Sequence, residues 1–340
     1  MRIGFACKYM SPDQTLKKKQ LEELERPLNT KTTTRRWLTE HDDQAHEKLW
    51  YIVKHNIESV KKLFHYVGSL PPALRMLRIG SDVLPAYTEP TYKRFYTSEV
   101  LDYVDRELSV AGDIARSYDL KLSFHPGQFT VLASDNPDIV TNSIEEFEYH
   151  VDLARWMGYG KRFQDFKINV HISGKKGPEG IKAILPRLSD EARNTITIEN
   201  DEMSWGLDAS LELENDLALV LDIHHHWIRT GEYISPTDDR VKRVIDSWRG
   251  VRPTLHYSYS RNEWLPADFQ HNDFPNMEEL LAAGHKKAKL RAHSDYYPNP
   301  VVNEWALSFL DNFDIMCEAK CKNLASIELY KESNLYEQNT

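Results

Sequence analysis

Several short apolar runs in this 340-residue chain end in a histidine or a carboxylate. Five such endings follow one another along the chain, at His125, His171, Glu199, Asp222 and His256. Imidazole nitrogens and carboxylate oxygens are side-chain ligands of divalent transition metals. If these groups were buried together without a cation, they would lose hydration and the carboxylates would repel one another. The pattern therefore predicts a metal cluster, provided that the fold brings the five run ends together.

Each of these residues also has a purely structural interpretation when it is taken alone. His125 stands before a Pro-Gly pair and could cap a turn, while Glu199 and Asp222 could pair with Arg or Lys. Glu318, the last residue of the eighth apolar run, could be a solvated residue at a helix start. The series favours metal binding, because unrelated structural roles would not place ligand-type residues at five run ends in succession.

Asp222 is followed by three histidines, at 224 to 226. Spacing alone leaves open which imidazole faces the site, because the triplet lies where a strand is expected to become a loop. Mixed nitrogen and oxygen ligands suit Mn, Zn or Fe better than Ca or Mg. Two or three adjacent cations would suit displacement at phosphorus, since they activate water, hold phosphate oxygens and stabilise the leaving oxygen.

The elements that must position these residues are strands and helices in alternation. Eight apolar runs are separated by longer amphipathic stretches, as in strand-helix units around a parallel sheet. The runs span residues 3–7, 74–79, 120–124, 167–171, 195–199, 218–222, 253–257 and 313–318. We predict an α/β fold, a single (β/α)8 TIM barrel, with the metal site at the C-terminal mouth of the strands, where strand ends converge.

The connecting segments support one domain. Residues 45–66, 98–118, 143–156 and 238–248 have the apolar spacing of helices. Residues 260–300 exceed a simple connection, so we expect local helices or a functional loop there. No Gly-Ser linker divides the chain. We therefore predict one TIM-barrel domain over residues 1–332 and a C-terminal tail over residues 333–340.

Composition limits the partners. The chain has 43 Lys and Arg against 52 Asp and Glu, a formal net charge of -9, which excludes a globally basic nucleic-acid binder. A polyanion would have to meet local basic residues or bound metal ions. The sequence shows no signal peptide and no stretch of membrane-spanning length, so a cytoplasmic location is expected. Three scattered cysteines suit reduced thiols better than disulfides.

The ordered motifs resemble the UV damage endonuclease family, whose fold is a TIM barrel related to endonuclease IV. The resemblance spans nearly the whole chain and rests on FHPGQ at 124–128, NVH at 169–171, IEN at 198–200, RAHSDY at 291–296 and DIMCEAK at 314–320. It implies a metal-dependent DNA repair endonuclease that nicks immediately 5′ to cyclobutane pyrimidine dimers and 6-4 photoproducts, leaving a 3′-hydroxyl and a 5′-phosphate. It also implies a monomer acting on double-stranded DNA with two or three divalent ions, Mn foremost, with Zn, Co or Mg as alternatives.

The resemblance also assigns roles to residues. Its metal ligands map onto His125, His171, Glu199, Asp222, His225, His256, His293 and Glu318. By this likeness, Glu199 bridges two ions, and Asp222, His256 and Glu318 join it as the catalytic set. His225 is thereby selected from the histidine triplet and shares a third ion with His293. Water activated among the ions would attack phosphorus.

Lesion and DNA contacts follow from the same likeness. Gln128-Phe129 matches a probing pair, and Phe5 matches an aromatic residue near the first strand, although the family more usually has Tyr at both aromatic places. Lys320 and Arg291 are candidates for DNA contact, with surface ion pairs as the alternative.

A second departure concerns Thr254, which occupies a position where the family often has a carboxylated lysine near the metals. This difference leaves metal occupancy and the level of activity open. It supports one rival interpretation, a noncatalytic lesion-binding protein. The other rival is a related barrel enzyme, either an abasic-site endonuclease or a sugar isomerase, and Gln128-Phe129 argues against the isomerase.

Overall fold

The computed structural model describes residues 1–337 and contains a closed barrel of eight parallel strands in the order β1 to β8. The strands are β1 Ile3–Cys7, β2 Met76–Ile79, β3 Lys121–Phe124, β4 Lys167–His171, β5 Ile196–Glu199, β6 Ala218–Asp222, β7 Thr254–Tyr257 and β8 Asp314–Cys317. Pairing between β8 and β1 closes the barrel. The predicted TIM barrel is confirmed. The predicted second run begins too early, because Pro72–Leu74 form a 3-10 turn before β2.

Helices lie between the strands and outside the barrel. They are α1 Lys18–Glu25, α2 Arg35–Glu40, α3 Asp42–Ser69, α4 Ser98–Ser117, α5 Pro137–Trp156, α6 Gly177–Ile184, α7 Asp190–Thr195, α8 Leu207–Leu211, α9 Ile223–Thr230, α10 Asp239–Ser247, α11 Met277–Ala282, α12 Lys287–Leu290, α13 Pro300–Leu307, α14 Lys322–Glu332 and α15 Asn334–Glu337. The four predicted helices correspond to α3, α4, α5 and α10. The long segment over residues 260–300 carries α11 and α12.

The main core lies between the strands and the surrounding helices. In α3, Leu49, Val53, Ile57 and Phe64 are buried at the spacing that the sequence predicts. Ala6, Met76 and Met316 form a second, smaller apolar cluster on the inner face of β1, β2 and β8. Successive strand residues point to opposite faces of the sheet, so alternate side chains of each strand join the main core.

The N-terminal end of the barrel is held by an ion-pair network on Asp314, the first residue of β8. Its carboxylate is 3% exposed and accepts hydrogen bonds from Lys121 Nζ at 2.8 Å, Arg252 Nε at 2.9 Å and the backbone N–H of Arg2 at 2.8 Å. Burial alone would raise the pKa of Asp314, but Lys121 and Arg252 outweigh it and hold the pKa below its ordinary value. The network joins β3 and β8 to the residues just before β1 and β7, at the end opposite the mouth.

At the C-terminus, residues 334–337 of the predicted tail form α15, and Leu335 is buried. Residues 338–340 of that tail lie outside the described residues. The single-domain boundary at residue 332 stays a prediction. Within residues 1–337, no helix is both long and apolar enough to cross a membrane.

Candidate metal centre

The C-terminal ends of the strands bring the ligand-type residues to one mouth. His171, Glu199 and Asp222 are the last residues of β4, β5 and β6, and His256 is the third residue of β7. His125 and Glu318 directly follow β3 and β8. Because all eight strands run in the same direction, these residues meet above the barrel interior.

Glu199 lies at the centre of the cluster. Its Oε2 is 3.1 Å from His125 Nε2 and 3.8 Å from His171 Nε2, and its Oε1 is 3.1 Å from His256 Nδ1. Burial alone would raise the pKa of Glu199, but the neighbouring imidazoles, His256 and His171 foremost, lower it well below its ordinary value. Asn169 donates a further hydrogen bond to Oε2. The ionised carboxylate is therefore stabilised at the point where several histidines converge.

Asp222 is fully buried beside Glu199, and only one of its two carboxylate oxygens has a hydrogen-bond partner within residues 1–337. Its Oδ1 accepts the backbone N–H of His225 at 2.7 Å and caps α9, whereas Oδ2 accepts no hydrogen bond from any donor within residues 1–337. Burial and the negative charges of Glu199 and Glu318 raise the pKa of Asp222 well above its ordinary value. A cation at this position would satisfy the orphaned oxygen and relieve the repulsion.

Asn200 fixes Asp222 by joining β5 to β6. Its Nδ2 donates to the Asp222 carbonyl at 2.9 Å, and its Oδ1 accepts the Asp222 backbone N–H at 2.9 Å. The IEN segment therefore contributes twice to the site, through the carboxylate of Glu199 and through the contact between Asn200 and Asp222. The asparagine holds the backbone that carries the neighbouring carboxylate in register.

Glu318 and His256 each contact a basic side chain, Arg78 and Lys167 respectively. Burial alone would raise the pKa of Glu318, but Arg78 of β2 donates to its Oε1 and holds that pKa well below its ordinary value. Lys167 of β4 places Nζ 2.9 Å from His256 Nε2, and burial lowers the pKa of Lys167 to about 7. Thr254, where the resemblance leads one to expect a lysine, is buried and neutral. An amine therefore reaches this histidine from β4 and not from β7.

The three consecutive histidines lie at the start of a helix and not in a loop. His224, His225 and His226 lie in the first turns of α9, so their side chains diverge by about 100° per residue. His225 faces Glu199, with Nδ1 3.4 Å from Oε1. His226 Nε2 instead lies 2.8 Å from Glu232, and the His224 ring packs beside Trp227. The structure thus places His225 alone of the three in the donor cluster.

Four groups of donor atoms in the described residues are close enough to hold an ion, with all atoms of a group within 4.8 Å. They are His125, His171 and Glu199; His125, His256 and Glu318; His171, Glu202 and His225; and Glu199, Asp222 and His225. Of the eight ligands that the resemblance assigns, His293 is in none of these groups. Its Nδ1 is 3.0 Å from the Glu318 carbonyl oxygen, an arrangement that leaves Nε2 as the nitrogen available to an ion. The donor types and the orphaned Asp222 Oδ2 fit divalent transition metals.

Asp201 orients one of these ligands. Its Oδ2 lies 3.1 Å from His171 Nδ1, and its Oδ1 accepts the backbone N–H groups of Met203 and Ser204 at 2.7 and 2.5 Å. Burial opposes ionisation, but these hydrogen bonds, that with His171 foremost, lower the pKa of Asp201. The proton on Nδ1 leaves His171 Nε2 facing Glu199. Carboxylate partners of this kind fix the tautomer and orientation of a ligand histidine.

Asp201→Asn is therefore expected to weaken metal binding by about 10- to 100-fold for the ion that His171 holds, because an amide N–H can face Nδ1 and reverse the tautomer. The measurement is a titration of the metal-free protein with Mn²⁺. Asp216→Asn, at an exposed position, is the matched control and should bind as the unmodified chain does. Equal affinity for all three proteins would contradict an orienting role.

The predicted lesion and DNA residues differ widely in exposure. Phe129 is 82% exposed, and Gln128 beside it is also exposed. Lys320 is exposed, and Arg291 is half-exposed with Nη1 3.0 Å from Glu202 Oε1. Phe5, in contrast, is 1% exposed and belongs to the core between the barrel and the helices.

The prediction that Phe5 contacts a lesion needs correction. Alternate residues of a strand point to opposite faces, and β1 directs Ala6 into the barrel while Phe5 packs outside it. A ring in that layer is not presented to a duplex at the mouth. Sequence likeness alone does not reveal which face of the strand a residue occupies.

Six residues of the site received no role from the sequence, namely Arg78, Lys167, Asn169, Asn200, Asp201 and Glu202. Two of them had a usable signal, because Arg78 and Lys167 are charged residues inside or at the start of apolar runs, and buried charges need partners. Asp201 and Glu202 follow the IEN segment directly and read as ordinary loop carboxylates. Their role depends on the loop conformation.

The barrel and the cluster at its mouth define a TIM-barrel protein with a candidate metal centre. The crystal structure of SacUVDE superposes with a TM-score of 0.74, is 23% identical, and covers 100% of this chain and 99% of that chain. Endonuclease IV from Thermus thermophilus superposes with a TM-score of 0.53 at 12% identity, over 83% of this chain and 95% of that one. These likenesses establish the fold.

The family model described as "UV-endonuclease UvdE" matches residues 1–340. A protein named UV DNA damage endonuclease from Bacillus cereus (strain B4264) is 25% identical over 301 residues, 85% of this chain and 84% of the relative. Its namesake from Bacillus velezensis is 27% identical over 311 residues, 84% of this chain and 82% of the relative. The chain belongs to the UV-endonuclease UvdE family, and it is an enzyme, a DNA repair endonuclease.

Proposed function

We propose that this endonuclease nicks DNA immediately 5′ to cyclobutane pyrimidine dimers and 6-4 photoproducts, leaving a 3′-hydroxyl and a 5′-phosphate. The observation that carries the proposal is the cluster at the mouth of the barrel, where three buried carboxylates, Glu199, Asp222 and Glu318, stand among histidines. The resemblance in sequence motifs and the names of the relatives support UV lesions as the substrate.

The proposed chemistry is hydrolysis of a phosphodiester without a protein nucleophile. Two or three bound divalent ions, Mn²⁺ foremost, would supply a metal-activated water and neutralise charge on the phosphate. His125, His171, Glu199, Asp222, His256 and Glu318 would hold these ions, with Glu199 at the centre of the cluster. Arg78 holds Glu318 ionised, and Asn169 orients Glu199. These contacts fix the carboxylates before DNA binds.

Lesion recognition is proposed for the loop after β3. Phe129 folds back over Gly127, where an added Cβ would lie only 3.0 Å from the ring, and most of the ring remains exposed. An exposed ring at the mouth can stack on or wedge beside a base. Gln128 offers an amide at the same tip. Lys320 and Arg291 are the proposed phosphate contacts.

Gln128→Ala combined with Phe129→Ala is expected to lower the preference for damaged over undamaged duplex by about tenfold, because base stacking on an aromatic ring contributes about 1–3 kcal/mol. Metal content should not change, since neither residue is in a donor group. Competition binding with both duplexes measures the preference. Val110→Ala removes an exposed apolar side chain from α4 and is the matched control. Undiminished preference in the double variant would exclude the loop as the lesion probe.

The deciding experiment uses 5′-end-labelled duplexes, one undamaged and one with a single photoproduct, incubated with protein of known metal content. Reactions with Mn²⁺ and with a chelator are compared, and product ends are mapped. We expect metal-dependent cleavage immediately 5′ to the lesion. Cleavage of an abasic duplex alone would favour the abasic-site endonuclease. Lesion-selective binding without cleavage by metal-loaded protein would favour a noncatalytic lesion-binding protein.

A further inference from the structure

Glu202 has a largely buried carboxylate, and only one of its two oxygens has a hydrogen-bond partner within residues 1–337. The residue lies in the loop after β5, and its side chain is 10% exposed. Arg291 Nη1 lies 3.0 Å from Oε1 and donates to it. Oε2 is buried and has no hydrogen-bond partner among residues 1–337. A carboxylate oxygen left in this way loses its hydration without compensation, so its surroundings indicate what it is meant to bind.

His225 Nε2 lies 3.5 Å from this oxygen. His225 Nδ1 lies 3.0 Å from the backbone carbonyl oxygen of Asn200. A carbonyl oxygen can only accept, so Nδ1 carries the proton and the neutral ring has its lone pair on Nε2. Two lone-pair atoms therefore face each other across a gap that lacks a hydrogen bond. Such a pair is stable when a cation lies between them.

The separation also fits a shared ion. A nitrogen and an oxygen bound to one ion at about 2.1 Å in tetrahedral coordination are about 3.4 Å apart. His171 supplies a third donor, because His171, Glu202 and His225 each offer a ligand atom within 4.8 Å of the others. Asp201 occupies His171 Nδ1, which leaves Nε2 for an ion. Arg291 holds the carboxylate through its other oxygen, Oε1.

We propose that Glu202 is a metal ligand, and that its Oε2 binds a divalent transition ion together with His225 Nε2 and His171. The inference rests on the proposed metal centre and adds to it a ligand that the resemblance did not supply. It gives Arg291 a second task, which is to hold Glu202 in the orientation that directs Oε2 at His225.

The variant Glu202→Gln tests this directly. Its amide oxygen can still accept from Arg291, while its NH₂ would donate to His225 Nε2, so the loop is preserved and the ligand is lost. Metal-free protein is equilibrated with Mn²⁺, and bound metal is counted by mass spectrometry after dialysis. We expect Glu202→Gln to bind one ion fewer than the unmodified chain, or to bind one ion at least about tenfold more weakly. Glu202→Asp, which keeps the charge but shortens the reach, should weaken the same ion.

The chain offers a matched control. Glu232 also lies between a histidine and an arginine, with His226 Nε2 at 2.8 Å and Arg240 Nη2 at 2.8 Å, but it is outside the donor groups. Glu232→Gln should bind as many ions as the unmodified chain. Thermal unfolding followed by circular dichroism establishes that each variant is folded.

The outcomes separate the inference from the function it rests on. If the unmodified chain binds ions and both Glu202 variants bind the same number with the same affinity, the inference is overturned. Glu202 would then only form an ion pair with Arg291. If the unmodified chain itself binds no divalent ion, the proposed metal-dependent function fails and the inference fails with it. Loss of one ion in the Glu202 variants but not in Glu232→Gln supports it.

Discussion

Glu199→Gln is expected to reduce metal-dependent incision by about 10²- to 10³-fold while the protein stays folded. The Glu199 carboxylate contacts His125, His171 and His256. A neutral amide in its place is a poor ligand for divalent ions. The loss corresponds to several kcal/mol of transition-state stabilisation, at about tenfold per 1.4 kcal/mol. The effect is measured as the single-turnover rate at which a lesion-containing duplex is cut at saturating Mn²⁺.

Two controls keep this prediction specific. Glu232→Gln makes the same chemical change at a His-Glu contact outside the cluster and should cut at the rate of the unmodified chain. Binding of the damaged duplex by Glu199→Gln should remain measurable, because Gln128 and Phe129 are on a different loop. Unchanged cutting by Glu199→Gln would place the catalytic centre elsewhere.

Asp314→Asn is expected to lower the free energy of unfolding by about 3 kcal/mol. The substitution leaves Lys121 and Arg252 without their buried anion, and removing one partner of a buried pair costs more than the pair itself contributes. The lower part of the usual range applies because Arg252 is 34% exposed and solvent screens it. Urea denaturation at neutral pH measures the change. Asp311→Asn, at an exposed position nearby, should stay within about 0.5 kcal/mol of the unmodified chain.

The same residue predicts the direction of a pH effect. The folded-state pKa of Asp314 lies below its ordinary value of 3.8, so the unfolded chain binds the proton more readily than the folded one. The contribution of this carboxylate is complete above that ordinary pKa and declines as the pH falls from there through the folded-state pKa. Asp314→Asn should therefore lose less stability than the unmodified chain over that acidic range. Parallel acid profiles for the two proteins would contradict this account.

The sequence by itself determined the barrel and the residues at its strand ends. Alternating apolar and amphipathic segments carry the fold, because a strand buried on both faces and a helix buried on one leave different periodicities. The ends of those segments fix which side chains reach the mouth. For this reason His171, Glu199 and Asp222 could be predicted as neighbours although they are distant along the chain.

The tertiary structure decided which side chains face the site and what stands behind them. The helix that begins at Ile223 separates His225 from its two neighbours, and the pleat of β1 turns Phe5 away from the mouth. The lysine beside His256 comes from β4, although the resemblance leads one to expect a lysine in β7, at the position of Thr254. Glu202 Oε2 lies 3.5 Å from His225 Nε2 through the conformation of the loop after β5. Strand register and loop conformation set these directions through contacts between distant segments, and local sequence patterns do not contain that information.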